Sequence, residues 1–350
     1  MATVNHAQQA LSNHSNSSWQ GEAARGAQIA ATLLIILVGL PLNGLVVWAL
    51  SRTRRLLSRR DSNGENTRAA NSFRVYVLNL ALADLVLLFR TPLMLGYLAY
   101  NYSWPFGSTL CRLVMFLRGL GLYASSFLLC SVALERCLCL LKPVWAGIRR
   151  PPWAVPLACS LLWLVATALS APYLHSAILQ EVNGTYQCWE NGTGSIGLFV
   201  TETIAGFIIP LLVFIGSNLA VLLSIKRASS PIPTSSFAPK MIRLYQVLFF
   251  TMLLFLTCWV PYFVCRFLRA LATGSPEIKW LHKTAGRCAY ISLFLVYIKS
   301  ALNPVLYVFA ARGLRRAVKA SLVSTIERFF NEDTTDSIRK KSLKSCNSQV

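Results

Sequence analysis

Long apolar runs separated by short polar segments are the dominant pattern of this chain. Each of seven runs has about 20 or more mostly apolar residues, the length needed to cross a bilayer as an α-helix. The first run has no basic segment before it and no obvious cleavage site, so we interpret it as a span rather than a signal peptide. The pattern predicts an all-α membrane protein, a seven-transmembrane helix bundle. The predicted spans are Gln28–Leu50, Val75–Ala99, Thr109–Leu141, Trp153–Leu174, Ile196–Ile225, Met241–Ala272 and Thr284–Phe309.

The polar segments divide the chain into four predicted regions. Residues 1–27 form an extracellular glycosylated N-terminus, 28–311 the bundle, 312–330 an amphipathic helix on the membrane surface, and 331–350 a disordered cytoplasmic tail. The surface helix is predicted because five apolar side chains share one helical face. They are Leu314, Val318, Leu322, Ile326 and Phe329. Basic residues on this helix would contact anionic membrane lipids.

Composition agrees with a membrane protein. Of 350 residues, 55% are hydrophobic and only 13% are charged, and the mean hydropathy is +0.50. The formal net charge of +21 could indicate a nucleic-acid partner. However, the basic clusters alternate with apolar runs and form no separate basic domain, so no nucleic-acid partner is expected.

Lysine and arginine set the predicted orientation. They cluster after spans 1, 3, 5 and 7, which places those segments in the cytoplasm and the N-terminus outside. The five N-x-[ST] glycosylation sequons all fall on the predicted outside, which supports the same orientation. They begin at Asn13, Asn16, Asn101, Asn183 and Asn191. We therefore expect a multi-pass plasma-membrane protein whose C-terminus is cytoplasmic.

Most of the ten cysteines lie inside predicted spans. Cys111, at the top of span 3, and Cys188, in the loop after span 4, lie on the oxidising side, so a disulfide between them is expected. The cysteine spacing matches no zinc pattern, and neither a metal nor a cofactor is expected. No nucleophile–base constellation indicates an enzyme.

Short motifs occur in order along the predicted spans. They are "GLPLNGLVVW", "LNLALADL", "ALERCL", Trp163, Pro210, "CWVPY" and "NPVLY". With these motifs the chain resembles a rhodopsin-class (class A) G-protein-coupled receptor along nearly all its length. The resemblance implies an extracellular ligand, a heterotrimeric G protein and an arrestin-like partner after tail phosphorylation. It also implies switch roles for Glu135, Arg136, Asn303, Pro304 and Tyr307.

Some positions depart from the family pattern. Cys137 replaces the tyrosine of the usual Asp/Glu-Arg-Tyr triplet, and no acid occurs between Lys226 and Phe255. The usual ionic lock between span 6 and the span-3 arginine therefore cannot form. Glu135 is expected to be the only nearby partner of Arg136. The absence of the lock would permit raised basal activity.

Within the class, the chain resembles the chemoattractant group and leukotriene B4 receptors most. The similar stretches are "LYASSFLL", "ETIAGFIIPLL", "SALNPVLY" and "IERFFNEDTTD". This resemblance implies an inhibitory G protein and a role in chemotaxis and inflammation. The tail offers phosphorylation sites for arrestin binding at Thr334, Thr335, Ser337, Ser342 and Ser345, and the terminal "SQV" matches a PDZ ligand.

The outer half of the bundle is rich in arginine. The outer halves of spans 6 and 7, with their loop, carry five basic residues against one acid, and Arg90 and Arg118 add positive charge inside the bundle. We expect these arginines to lack acids, since Glu202 would pair with only one of them. An aromatic and apolar wall with free arginines favours a lipid carboxylate, its acid bound by Arg118 and Arg266. The predicted ligand-binding residues are Arg90, Met115, Arg118, Leu122, Tyr123, Glu202, Trp259, Tyr262, Arg266, Tyr290 and Phe294.

Other ligands and functions stay open. A nucleotide would also use arginines but needs more polar base-reading residues, and a chemoattractant peptide of the formyl-peptide or complement type is a third option. A retinal photoreceptor is disfavoured because Tyr297, not Lys299, holds the Schiff-base position. A transporter is disfavoured because no internal repeat is found.

Lys299 lies in the middle of span 7, where a charge is costly. Its position four residues before Asn303 puts both on one helix face, which in the family looks toward Asp84. Relatives hold a sodium ion there, so we expect Lys299 to be a tethered cation that takes the place of the sodium and pairs with Asp84. The predicted buried polar cluster is Asn43, Asp84, Ser125, Lys299, Ser300 and Asn303.

Overall fold

A computed structural model describes residues 2–57, 65–142, 145, 149–190, 195–228, 238–272, 277 and 279–310. In this part of the chain, seven helices or helix pairs are long and apolar enough to cross a membrane. Each overlaps one predicted span, so the seven-helix prediction is confirmed. They are Gly21–Arg52, Asn71–Ala99, Gly107–Cys139, Ala154–Ser176, Ile196–Ser224, Met252–Leu271 and Trp280–Val305.

Several predictions fall outside the described residues. These are the surface helix 312–330, the tail sites, the terminal "SQV" and the sequon at Asn191. The side chains of Asn13, Asn16 and Tyr307 also lie outside the described part.

Ten α-helices make up the described bundle. They are α1 (Ala2–Leu57), α2 (Glu65–Leu88), α3 (Thr91–Ala99), α4 (Gly107–Leu141), α5 (Ala154–Ser170), α6 (Tyr173–Ser176), α7 (Ser195–Thr203), α8 (Ile209–Ala228), α9 (Ala238–Leu271) and α10 (Lys279–Ala310). A π-helical turn, Ile204–Ile208, joins α7 to α8. Between the first two predicted spans, α1 continues to Leu57 and α2 begins at Glu65.

A proline divides the second span into α2 and α3. Pro92 has no N–H to donate to the carbonyl of Leu88, and its ring clashes with that carbonyl in a regular helix. The hydroxyl of Thr91 donates to the Leu88 carbonyl instead, at 2.6 Å. The chain therefore bends at residues 89–90, and Arg90 lies at the junction between the two helices.

The π-helical turn in the fifth span has a similar origin. The N–H of Ile209 donates to the carbonyl of Ile204, five residues earlier. Pro210, which follows at once, cannot donate to the carbonyl of Gly206. Such single turns often occur at functional sites, and Glu202 lies two residues before this one.

The helix α4 runs through the centre of the bundle. A Cβ at Gly121 would lie 2.7 Å from the Cβ of Leu87, and a Cβ at Gly119 would lie 2.9 Å from the ring of Tyr173. Only glycine permits contacts this close. The core beneath is aromatic, and Tyr123 and Trp259 are fully buried in it.

A β-hairpin covers one end of the bundle, which we call the hairpin end. Its strands are β1 (Ala177–Val182) and β2 (Thr185–Glu190), paired antiparallel. Asn183 and Gly184 turn the chain with positive φ angles of 52° and 76°, as a two-residue hairpin turn requires.

Two disulfides tie this end together. The bond between Cys111 and Cys188, with Cα atoms 5.6 Å apart, anchors β2 to α4 and confirms the predicted pairing. A second disulfide, which the sequence analysis missed, joins Cys265 of α9 to Cys288 of α10. Both cysteines had been interpreted only as small apolar residues within spans.

Candidate ligand-binding site

Arg118 lies at the centre of a buried polar network at the hairpin end. Its Nη2 donates to Oε1 of Glu190 at 2.6 Å, and its Nη1 lies 3.2 Å from Oε1 of Glu202. Nη1 also donates to the hydroxyl of Tyr262 at 2.7 Å. The guanidinium carbon lies 5.0 Å from the ring centroid of Tyr173. A single arginine thus joins the hairpin, α7 and α9.

Arg266 binds the same two acids from α9. Its Nη2 lies 3.1 Å from Oε2 of Glu202, and its Nη1 lies 3.6 Å from Oε1 of Glu190. Tyr262, four residues earlier on the same helix face, donates to Oε1 of Glu202 at 2.7 Å. The hydroxyl of Tyr173 donates to Oε2 of Glu202 at 2.9 Å.

This network is balanced in charge, with two guanidinium groups and two carboxylates. The expectation that Arg118 and Arg266 lack acids, with Glu202 pairing with only one of them, is therefore wrong. Glu202 bridges both arginines. Glu190 supplies the second carboxylate because the hairpin folds over the bundle, an arrangement that spacing along the chain does not show.

Arg90 differs from these two arginines. Its residue is 4% exposed, yet its only hydrogen bond among the described residues runs from Nη2 to the sulfur of Met94, at 3.4 Å. Its guanidinium carbon lies 5.7 Å from the ring centroid of Tyr297. Nε and Nη1 are buried without a hydrogen-bond partner in the described structure. Within the described part of the chain, Arg90 is thus a buried cation with no carboxylate in hydrogen-bond contact.

A cavity lies next to Arg90, between the first, second and seventh spans. It is a narrow cavity of about 10 Å³, so a lipid acid would enter it only if the surrounding side chains moved apart. The wall is mostly apolar and aromatic, with Thr32, Ile35, Thr91, Met94, Tyr290, Leu293, Phe294 and Tyr297 as lining residues.

The predicted ligand-binding residues fall into three groups. Tyr290 and Phe294 line the cavity beside Arg90. Arg118, Glu202, Tyr262 and Arg266 form the balanced network. Met115 is half-buried between the core and the hairpin end, whereas three other predicted wall residues pack in the core, at most 1% exposed. These three are Leu122, Tyr123 and Trp259.

The predicted polar cluster forms in the middle of the bundle. Ser125 donates to Oδ1 of Asp84 at 3.1 Å, and Asn303 donates to Oδ2 at 2.7 Å. Lys299 donates to the hydroxyl of Ser125 at 3.1 Å, so that serine stands between the ammonium and the carboxylate. The amide of Asn43 donates to the backbone carbonyl of Ser300 at 3.1 Å.

The opposite end of the bundle holds an ion pair that was not predicted. Arg150 donates to both oxygens of Glu135, with Nη2 3.0 Å from Oε1. The guanidinium of Arg136 instead lies over the ring of Phe73, 3.5 Å from its centroid. The expectation that Glu135 would pair with Arg136 is therefore wrong.

Arg150 is well placed to keep its charge. Burial opposes that charge, but the hydrogen bond and negative charge of Glu135 outweigh burial and raise the pKa of Arg150 above its ordinary value. Arg150 also donates to the hydroxyl of Ser72. In the sequence this residue was only one of several basic residues after span 3.

Among the switch residues, Asn303 binds Asp84, and Pro304 lies within α10. The site residues that sequence reasoning missed are Tyr173, Glu190, Tyr297 and Arg150. Glu190 carried one signal, because it was one of two acids in the loop after span 4.

Comparisons with known proteins agree with this architecture. Residues 42–307 match the family model of the 7 transmembrane receptor (rhodopsin family). Somatostatin receptor type 5 of Mus musculus is 30% identical over 89% of this chain and 82% of its own length. The C3a anaphylatoxin chemotactic receptor of Oncorhynchus mykiss is 29% identical over 75% and 71%. Prostaglandin D2 receptor 2 of Rattus norvegicus is 28% identical over 93% and 77%. The chain therefore belongs to the rhodopsin family of seven-transmembrane receptors: it is a multi-pass plasma-membrane receptor, not an enzyme, with an extracellular ligand and a G protein as partners.

Proposed function

We propose that this receptor responds to an anionic amphiphile, a lipid carboxylate of the leukotriene B4 type. One observation carries the proposal. Among the described side chains, Arg118 and Arg266 pair with Glu190 and Glu202, whereas the buried Arg90 has no carboxylate within hydrogen-bond distance. Arg90, Arg118 and Arg266 against Glu190 and Glu202 leave one excess positive charge. A buried cation without a counterion is costly, so this region favours an anion.

The cavity walls support a ligand with a long apolar body. Ile35, Met94, Leu293 and Phe294 offer hydrocarbon and aromatic surface beside the excess charge. A nucleotide would need polar groups to read its base, and this wall has few. The combination of one charged group and an apolar wall fits a lipid acid best.

Orientation and signalling form part of the proposal. We place the hairpin end outside the cell, since it carries the sequons at Asn101 and Asn183 and the Cys111–Cys188 disulfide. The likeness to leukotriene B4 receptors rests on short sequence stretches. It supports coupling to an inhibitory G protein in chemotactic responses. Binding of an arrestin-like protein and of a PDZ domain to the C-terminal tail also stays a prediction.

The assignment of the acid group to Arg118 and Arg266 stays a prediction too. It now requires the acid to displace Glu190, whose side chain is 13% exposed at the end of β2. Glu202 is less replaceable because two tyrosines and two arginines hold it. If the acid takes the place of Glu190, Glu190→Gln should raise the potency of an acid agonist and leave that of its ester unchanged.

A cell-based screen tests the proposed function. Cells expressing the receptor would be assayed for cyclic AMP and calcium with leukotriene B4, prostaglandin D2 and arachidonate, each beside its methyl ester. We expect the acid to be at least tenfold more potent than the ester, because a hydrogen bond to a charged group contributes about 1.5–3 kcal/mol. Equal potency of acid and ester would contradict an anionic ligand.

A chemoattractant peptide is the second candidate. The relatives include receptors named for somatostatin and C3a. The balanced network also offers carboxylates to a basic peptide side chain as well as guanidinium groups to a C-terminal carboxylate. Responses to formyl peptides or complement fragments, without responses to the three acids, would favour this candidate.

A further inference from the structure

We propose that Arg90, together with the hydroxyls of Tyr290 and Tyr297, forms the subsite for the acid group of the ligand. This inference rests on the proposed function and deepens it by naming the residues that hold the carboxylate. It moves the acid away from Arg118 and Arg266, and into the crevice between the first, second and seventh spans.

The first support is the state of Arg90 itself. Its residue is 96% buried, and two of its three nitrogens have no hydrogen-bond partner among the described residues. Its guanidinium donates to the sulfur of Met94 and lies near the ring of Tyr297, neither of which is charged. A guanidinium carries five N–H donors in a planar fork that matches a carboxylate. Most of these donors are unused.

The second support is a pair of unused hydroxyls on the cavity wall. The hydroxyl oxygens of Tyr290 and Tyr297 are buried without a hydrogen-bond partner in the described structure. Both residues line the cavity, and so do Thr91 and Met94, which follow Arg90 along the chain. Buried polar atoms are normally hydrogen-bonded, so these donors are available to an acceptor that enters the cavity.

The chemistry of these donors selects the ligand group. A guanidinium and two phenols can all donate, and an ionised carboxylate only accepts. One carboxylate could therefore satisfy Arg90 and both hydroxyls. An ester keeps oxygens that accept but has no negative charge to balance Arg90.

The balanced network cannot bind the acid group of a ligand without rearrangement. The guanidinium nitrogens of Arg118 and Arg266 already lie within 3.6 Å of carboxylate oxygens of Glu190 and Glu202. An acid that binds there must first expel a carboxylate, whereas an acid that binds at Arg90 adds the counterion that this region lacks. The bend at Pro92 leaves Arg90 at the junction of α2 and α3, next in the chain to Thr91, which lines the cavity.

Variants with matched controls test the subsite. Arg90→Gln removes the charge with little change in size, and Arg287→Gln makes the same change at an exposed position on the seventh span. The measurement is the potency of leukotriene B4, prostaglandin D2 and arachidonate, each compared with its methyl ester, at equal surface expression. We expect Arg90→Gln to lose at least tenfold in acid potency and to become indifferent to esterification. Arg287→Gln should behave as wild type.

Tyrosine variants separate the hydroxyls from the rings. Tyr290→Phe and Tyr297→Phe keep the aromatic wall and remove one donor each. We expect each to lose about two- to tenfold in acid potency, with no loss of ester potency. Unchanged acid potency in both variants would show that the two hydroxyls do not bind the acid group.

A measurement without ligand distinguishes a binding role from a structural one. An unpaired buried charge destabilises the protein, so purified Arg90→Gln in detergent should unfold at the same or a higher temperature than wild type. A clear fall in the unfolding temperature would identify Arg90 as a structural group and overturn the proposal.

The outcomes also separate this inference from the proposed function. Equal potency of acids and esters on wild type, or no response to any acid, contradicts the proposed function and this subsite together. A strong acid preference that survives Arg90→Gln but disappears in Arg118→Gln overturns the subsite and leaves the proposed function intact.

Discussion

Replacing Lys299 by alanine should destabilise this receptor by about 3–5 kcal/mol, because Asp84 would stay buried without its nearest cation. Lys299 is 1% exposed and Asp84 is 0% exposed, so neither charge is in contact with bulk water. Two hydrogen bonds of 3.1 Å, from the ammonium to Ser125 and from Ser125 to Asp84, connect the pair. The sequence analysis expected Lys299 to pair with Asp84. In the structure the hydroxyl of Ser125 bridges the two groups.

A second contact links this cation to the core. The ammonium nitrogen of Lys299 lies 5.9 Å from the ring centroid of Trp259. A desolvated cation beside a tryptophan ring is worth up to about 2 kcal/mol. The loss in Lys299→Ala therefore comes from the uncompensated carboxylate first and from the ring contact second.

Surface expression and thermal unfolding in detergent measure this loss. Lys299→Ala should reach the surface poorly and unfold at a lower temperature. Adding Asp84→Asn to it should restore part of the stability, because the neutral amide needs no cation. Lys283→Ala, the same change at an exposed position, is the control. A double variant less stable than Lys299→Ala would contradict the pairing.

Sodium dependence tests whether Lys299 occupies the place of an ion. At constant ionic strength, replacing choline chloride by sodium chloride should leave the unfolding temperature of the wild-type receptor unchanged. Lys299→Asn should be stabilised by sodium, because Asp84, Ser125 and the new amide could coordinate it. A wild-type receptor that responds strongly and specifically to sodium would refute the tethered-cation reasoning.

Two further predictions concern the ends of the bundle. Arg150→Gln should lower basal G-protein activation, measured by nucleotide exchange, because Glu135 could then pair with Arg136. The same change at the exposed Arg149 should have no effect. Unchanged basal exchange in Arg150→Gln would contradict this role of the ion pair. Cys111→Ala should abolish the ligand response, because it releases the hairpin from α4. Cys258, which forms no disulfide, is the control, and Cys258→Ala should keep the response. A free thiol at Cys111 of the wild-type protein, found by mass spectrometry, would contradict the disulfide.

The seven spans could be predicted because hydrophobicity is a local property of the sequence. Twenty apolar residues must form a helix in a bilayer, whatever their neighbours are. The ends of the helices were less predictable. The apolar signal ends near Leu50, yet α1 continues to Leu57, because polar residues also form helices once they leave the membrane.

The pairing of charges was not predictable in the same way. The two arginines of the balanced network could be identified by their depth, but Glu190 reaches them only because the hairpin folds back and Cys188 fixes it to α4. The pairing of Glu135 with Arg150 likewise depends on a connection whose path the sequence does not show. Local patterns identify candidate charges, and the tertiary fold selects their partners.

Two prolines relate the sequence pattern to the tertiary fold, because the irregular turns at Pro92 and Pro210 each stand near a charged residue. The break before Pro92 leaves Arg90 at a helix junction, and the π-helical turn before Pro210 follows Glu202. In a membrane, irregular backbone is tolerated where it is buried in protein or lines a cavity. The same turns can therefore direct charged side chains into the bundle. The prolines of the second and fifth spans thus mark, in the sequence itself, where Arg90 and Glu202 of the candidate ligand site lie.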